Sequence, residues 1–175
     1  MIIRRGKLLP KEASSLDILA LAIKSEIEAA NFYNRLGRKI KADLLKQKVH
    51  FLAYEEKKHR AILTRLCRQR FGQVPSSLPE HGLALNIEIA SIKKLTVLEL
   101  FQAALRAEKM AEAFYQEAGD KVEDKEAKAI LNYLRRVERS HAALILSETG
   151  LLRYFPEDYD VASAHFGEEL AHIGP

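Results

Sequence analysis

Apolar residues recur at helical spacing through most of the chain. Leu19, Ala22, Ile23 and Ala30 form a stripe downstream of Ser14, the spacing of an amphipathic helix. Ser14 and Asp17 form a capping-box pattern, which starts a first helix. Gly37 is read as its C-terminal cap. Asp43 is read as the N-cap of a second helix, which carries Leu52, Ile62 and Leu66 to about Phe71, before Gly72. Residues 72–95 hold Pro75, Ser76, Ser77, Pro79 and Gly82, a long connection and not a tight turn. A third helix is predicted from after Thr96 to near Gly119, and a fourth from Asp124 to about Thr149, before Gly150. Pro156 breaks the pattern, and a short fifth helix is expected over roughly 159–172.

The second half of this pattern repeats the first with an offset of 82 residues. Leu16 matches Leu98, Ala22 matches Ala104, Ala29 matches Ala111, and Leu52 matches Leu134. Phe32-Tyr33 matches Phe114-Tyr115, and Gly37 matches Gly119. Even the start signal recurs, with Thr96-x-x-Glu99 in the place of Ser14-x-x-Asp17. A repeat of this length, present twice, reads as two helical hairpins facing each other across a pseudo-two-fold axis. The short–long–short order of the connections predicts an all-α chain, a ferritin-like four-helix bundle with a long middle crossover. The expected organisation is a basic arm over 1–13, the bundle over 14–149, and a tail over 150–175.

Glu26, Glu56 and His59 recur in the same register as Glu108, Glu138 and His141. Glu-x-x-His alone is a weak motif, and the chain holds three: Glu56/His59, Glu138/His141 and Glu169/His172. Only the first two obey the offset. Positions i and i+3 share one helix face, so each of those pairs aims a carboxylate and an imidazole at one point. Glu26 and Glu108 add one carboxylate from each remaining helix. This is the ligand layout of di-iron and di-manganese carboxylate bundles. Four carboxylates balance two divalent cations, whereas unpaired they are costly to bury ionised. Carboxylate and imidazole donors suit iron or manganese. Tyr33 and Tyr115 follow seven residues after Glu26 and Glu108, on the same faces. They either hydrogen-bond the ligand carboxylates or simply pack the core. Glu55 is expected at the surface, as are Glu169, His172 and His165; His50 and His81 have no repeat partner.

Composition narrows the remainder. The 175 residues are 47% apolar and 30% charged, with 8 Gly, 5 Pro and no Trp, which suits a single helical domain. No apolar run is long enough to cross a bilayer. The basic N-terminus lacks the apolar segment of a secretory signal, so the cytoplasm is expected. A single cysteine, Cys67, rules out an intramolecular disulfide or a four-cysteine metal site within these residues. The net charge of +4 is spread among acidic residues, so neither a nucleic-acid nor a membrane partner is expected.

At these residues the sequence resembles the rubrerythrin branch of the ferritin-like superfamily. The matching segments run from Glu26 to Phe32-Tyr33 and from Glu108 to Phe114-Tyr115, with Glu55-Glu56-x-x-His59 and Glu138-x-x-His141. The resemblance covers roughly residues 14–149. It implies two iron ions (manganese being the other candidate) held by Glu26, Glu56, His59, Glu108, Glu138 and His141. Glu56 and Glu138 would bridge. It implies a peroxidase-like oxidoreductase that reacts with hydrogen peroxide or oxygen, and a homodimer. Two departures stand out. The Cys-x-x-Cys pairs of a rubredoxin domain are missing, so electrons are expected from a separate rubredoxin-like donor. The extra carboxylate that many rubrerythrins carry has only Glu112 as a nearby candidate. A di-iron monooxygenase and a ferritin-like iron-oxidising and storage protein share the same layout and remain as alternatives.

Overall fold

A computed structural model of the protein describes Leu9, residues 13–83 and residues 94–155. Among these residues the chain forms four α-helices and no strand: α1 (Ser15–Lys39), α2 (Asp43–Phe71), α3 (Val97–Lys121) and α4 (Lys125–Tyr154). Most of the predicted arm, residues 84–93 of the crossover, and the expected fifth helix with His165, Glu169 and His172 lie outside the described residues. No described helix is long and apolar enough to cross a membrane.

The helices start where the sequence signals them. Ser14 and Thr96 form full capping boxes: each hydroxyl accepts a backbone N–H three residues on, at 3.2 Å, from Asp17 and Glu99 respectively. The Asp17 and Glu99 carboxylates accept the cap residues' own N–H groups in return, satisfying donors that a helix start otherwise leaves orphaned. Asp124 caps α4 through a 2.8 Å bond from Ala127 N–H. Asp43 differs from expectation. Ala42 is the N-cap of α2 and makes no side-chain cap bond, while Asp43 is the first helical residue, where its charge still favours the helix dipole.

The predicted stops fare unevenly. Gly72, at φ 70°, ends α2 in the left-handed conformation and donates to Arg68 O at 3.0 Å, as a glycine cap should. Gly37 and Gly119 are no caps: both are buried inside helices that run on to Lys39 and Lys121. Gly37 serves instead as a close-approach point, since a Cβ there would lie 3.2 Å from His50 Nε2. Gly150 is also helical, and α4 continues to Tyr154. The stop there is Pro156, because a following proline drives its predecessor out of the α region; Phe155 sits at φ −134°, ψ 58°.

α1 packs along α2, and α3 along α4; α1 also neighbours α3, and α2 neighbours α4. The apolar stripes meet in two clusters. One joins Ile18 and Ile23 to Leu63, Leu66, Phe114 and Leu131. The other joins Leu36, Leu45 and Leu52 to Leu100, Phe101 and Ile145. The first cluster thus gathers the start of α1, the end of α2, the end of α3 and the start of α4, so neighbouring helices are antiparallel. The connection from α2 to α3 must therefore travel the length of the bundle, as the long crossover predicts.

Candidate metal centre

Between the two apolar clusters lie six buried polar side chains: Glu26 on α1, Glu56 and His59 on α2, Glu108 on α3, Glu138 and His141 on α4. None exceeds 3% exposure. All six predicted residues therefore converge, and all four helices contribute. The two imidazoles stack with ring centres 5.4 Å apart and planes inclined by 19°.

His59 Nδ1 lies 3.3 Å from Glu26 Oε2, 3.3 Å from Glu56 Oε2 and 3.1 Å from Glu138 Oε1. His141 Nδ1 lies 3.1 Å from Glu56 Oε1, 3.5 Å from Glu108 Oε2 and 3.6 Å from Glu138 Oε2. These are ion-pair distances, yet they lack hydrogen-bond geometry: both Nδ1 atoms and Glu26 Oε2, Glu56 Oε1, Glu108 Oε2 and Glu138 Oε1 have no hydrogen-bond partner. Buried polar atoms left so are costly. Donors at roughly 2.1 Å from a six-coordinate cation sit about 3.0 Å apart along an octahedral edge, so the observed spacings suit lone pairs aimed at a shared ion. The donors form two overlapping groups: Glu26, Glu56, His59 and Glu138; and Glu56, Glu108, Glu138 and His141, with donor atoms in each within 4.8 Å of one another. Glu56 and Glu138 belong to both.

Burial and mutual repulsion split the titration of the metal-free cluster. Burial, followed by the charges of Glu56 and Glu138, pushes the carboxyls of Glu26 and Glu108 well above the usual range. Burial pushes Glu56 and Glu138 the same way, but contacts with His141 and His59 outweigh it and hold both below the usual range. Burial alone would lower the two imidazoles; the surrounding carboxylates reverse this and raise both.

Tyr33 and Tyr115 hydrogen-bond ligand-type carboxylates, and they do so across the repeat. Tyr33 Oη donates to Glu108 Oε1, and Tyr115 Oη donates to Glu26 Oε1. Each tyrosine also packs edge-on against its preceding phenylalanine, at 5.4 Å between ring centres in both halves. Hydrogen bonding and core packing are thus both realised.

A family model described as Rubrerythrin matches residues 17–148. The chain belongs to the rubrerythrin family. It is also similar to a solved structure described as a hypothetical protein from Pyrococcus furiosus, with 34% sequence identity and a TM-score of 0.69, covering 79% of this chain and 90% of that one. No curated protein matches the chain. Rubrerythrin-type domains bind a di-iron centre, and the buried cluster offers a donor set fit for metal.

Other residues of this rubrerythrin-family chain fall differently from expectation. Glu55 is not a surface residue: its side chain is 13% exposed, pairs with Lys58 Nζ at 2.8 Å, and lies within 4.8 Å of ring nitrogens of His59 and His141. The available signal was its i, i+4 spacing to His59, the other neighbour spacing on a helix. Glu112 turns away from the cluster into a two-contact pair with Arg139, at 2.7 Å to Nε and 2.6 Å to Nη2. Cys67 is buried in an apolar cluster. On the carboxylate side a cavity of about 30 Å³ lies between α1 and α3; Ala29, Ala107 and Ala111 line it with the four glutamates of the cluster and Glu28, and neither histidine of the cluster does.

Proposed function

We propose that the protein is a di-iron oxidoreductase that reduces hydrogen peroxide, or dioxygen, with electrons from a separate donor protein. The observation that carries this reading is the pair of overlapping donor groups sharing Glu56 and Glu138. Glu26, Glu56, His59 and Glu138 would hold one ion, and Glu56, Glu108, Glu138 and His141 the other. Glu56 and Glu138, which belong to both groups, would be shared between the two ions. Iron is favoured over manganese by the redox reading alone, since the donor types suit both. When bound, two ferrous ions supply one electron each, so that hydrogen peroxide, two electrons and two protons give two waters.

The chain's own residues orient the donors and control protons. Tyr33 and Tyr115 fix the Glu108 and Glu26 carboxylates. Burial, followed by the charge of the carboxylate each contacts, holds both phenols well above their ordinary range, so they remain donors at neutral pH. The apolar clusters at either end exclude bulk water, which strengthens electrostatics at the cluster. The 175 residues contain one cysteine, hence no Cys-x-x-Cys centre to return electrons. A monooxygenase needs an apolar chamber for an organic substrate; among the described residues the cavity beside the carboxylates measures about 30 Å³.

Metal analysis followed by rapid mixing tests this function. The reduced, iron-loaded protein is expected to be oxidised by peroxide, with turnover only when a donor protein is added. His59→Ala and Glu138→Ala are each expected to lower metal content, and His172→Ala to leave it unchanged. Oxidation by oxygen much faster than by peroxide would favour the monooxygenase or iron-oxidising alternatives.

A further inference from the structure

The cavity on the carboxylate side is symmetric in its walls and asymmetric in its roof. Glu26 faces Glu108 and Ala29 faces Ala111, each pair related by the internal repeat. The roof is Leu83, from the crossover, which has no counterpart in the repeat. Two backbone groups tie this segment to α1. Leu83 N–H donates to Ser25 Oγ at 2.9 Å, and Gly82 N–H donates to Glu28 Oε2 at 2.9 Å. Lys24 Nζ, 3.2 Å from Glu28 Oε1, steadies the second acceptor.

Both acceptors stand where the repeat is broken. The second half has Ala107 in the position of Ser25 and Met110 in the position of Glu28. Neither replacement side chain offers an oxygen to hold the crossover. Gly82 is fitted to the same contact: a Cβ there would lie 2.7 Å from Glu28 Oε2 and 2.8 Å from Ser25 Cα, closer than backbone and side chain can pack. The first repeat thus departs from the second at the two positions that clamp the crossover over the cavity.

We propose that Leu83, clamped through Ser25 and Glu28, is a specificity-determining residue that limits the ligand at the carboxylate side of the cluster to about two heavy atoms. The cavity's roughly 30 Å³ compares with about 10–15 Å³ for a single water. That space fits hydrogen peroxide or dioxygen and rejects hydroperoxides bearing an organic group. The proposal rests on the peroxide-reducing reading above and extends it by naming the residues that select the oxidant.

Two measurements on the full chain test it. The first uses metal-free protein and needs no chemistry at the cluster: amide hydrogen exchange at Gly82 and Leu83. Slow exchange is expected in the wild type and fast exchange in Ser25→Ala/Glu28→Met, which copies the second repeat and keeps good helix formers. Fast exchange at both amides in the wild type overturns the clamp. The second compares oxidation of the reduced, iron-loaded protein by hydrogen peroxide and by cumene hydroperoxide, with iron content measured for each variant. Leu83→Ala and the double variant are expected to raise the cumene hydroperoxide rate relative to hydrogen peroxide by about tenfold or more, the scale on which pocket size discriminates. An unchanged ratio at full iron content overturns the specificity role. A wild type that loads iron but reacts with neither peroxide overturns that role together with the peroxide-reducing reading, whereas slow wild-type exchange with an unchanged ratio overturns the specificity role alone.

Discussion

Six buried side chains form the candidate metal centre, and burial together with their mutual contacts sets how they titrate. In the metal-free cluster His59 and His141 are raised by the carboxylates around them. Glu56 and Glu138 are lowered, while Glu26 and Glu108 are raised chiefly by burial. Coordination requires neutral imidazoles and ionised carboxylates. Metal binding must therefore displace protons from the imidazoles and from the two carboxyls whose hold on them is raised. As pH falls the protonated fraction of these groups rises and protons compete with metal, so metal affinity is expected to drop toward acid. Titrating the metal-free protein with ferrous iron in weakly buffered indicator dye measures the release directly. An uptake of metal with no proton release would contradict the charge pattern.

The helices respond to local signals that can be altered one at a time. Asp124 caps α4 by accepting Ala127 N–H, and loss of such a cap costs about 1 kcal/mol. Asp124→Ala is expected to lower the midpoint of thermal unfolding by roughly 2–4 °C in a chain of this size. Gly150 offers the opposite case. It lies inside α4, and a Cβ there would meet nothing within 4 Å. Glycine in a helix interior costs about 1 kcal/mol relative to alanine. Gly150→Ala is therefore expected to raise the midpoint by a similar amount. Thermal unfolding at fixed metal content checks both, and a Gly150→Ala variant less stable than wild type would mean the glycine is needed for its backbone.

The bundle is two hairpins held together around a polar centre. Within each hairpin the helices run closely side by side, whereas between hairpins the approach is looser, with the six-residue cluster at mid-height. Metal binding to the native state alone stabilises it by about 2.7 kcal/mol per ion at a hundredfold excess over Kd. For a chain of this length that corresponds to roughly 5–10 °C in unfolding temperature per ion. Chelation is expected to lower the unfolding midpoint by at least this much, and restoring ferrous iron to recover it. Identical midpoints with and without metal would show that the cluster does not bind metal tightly in the folded bundle.

The bundle, its long crossover and the six clustered residues were readable from the chain because a helix converts spacing into direction. Residues at i, i+3 and i+7 must share a face, and an offset repeated across both halves must place the two sets alike. The capping boxes at Ser14 and Thr96 were readable for the same reason, since their partners lie three residues away. Features set by contacts between distant segments were not. Gly37 has the residue type of a stop signal, yet α1 runs on to Lys39 and the glycine lies against His50 on the neighbouring helix. Tyr33 follows Glu26 in sequence but bonds Glu108, because its hydroxyl reaches across to the facing hairpin. Leu83 carries no motif, and its position over the carboxylates depends on how the crossover lies against Ser25 and Glu28. Local spacing dictates what shares a helix face; packing alone dictates what that face meets.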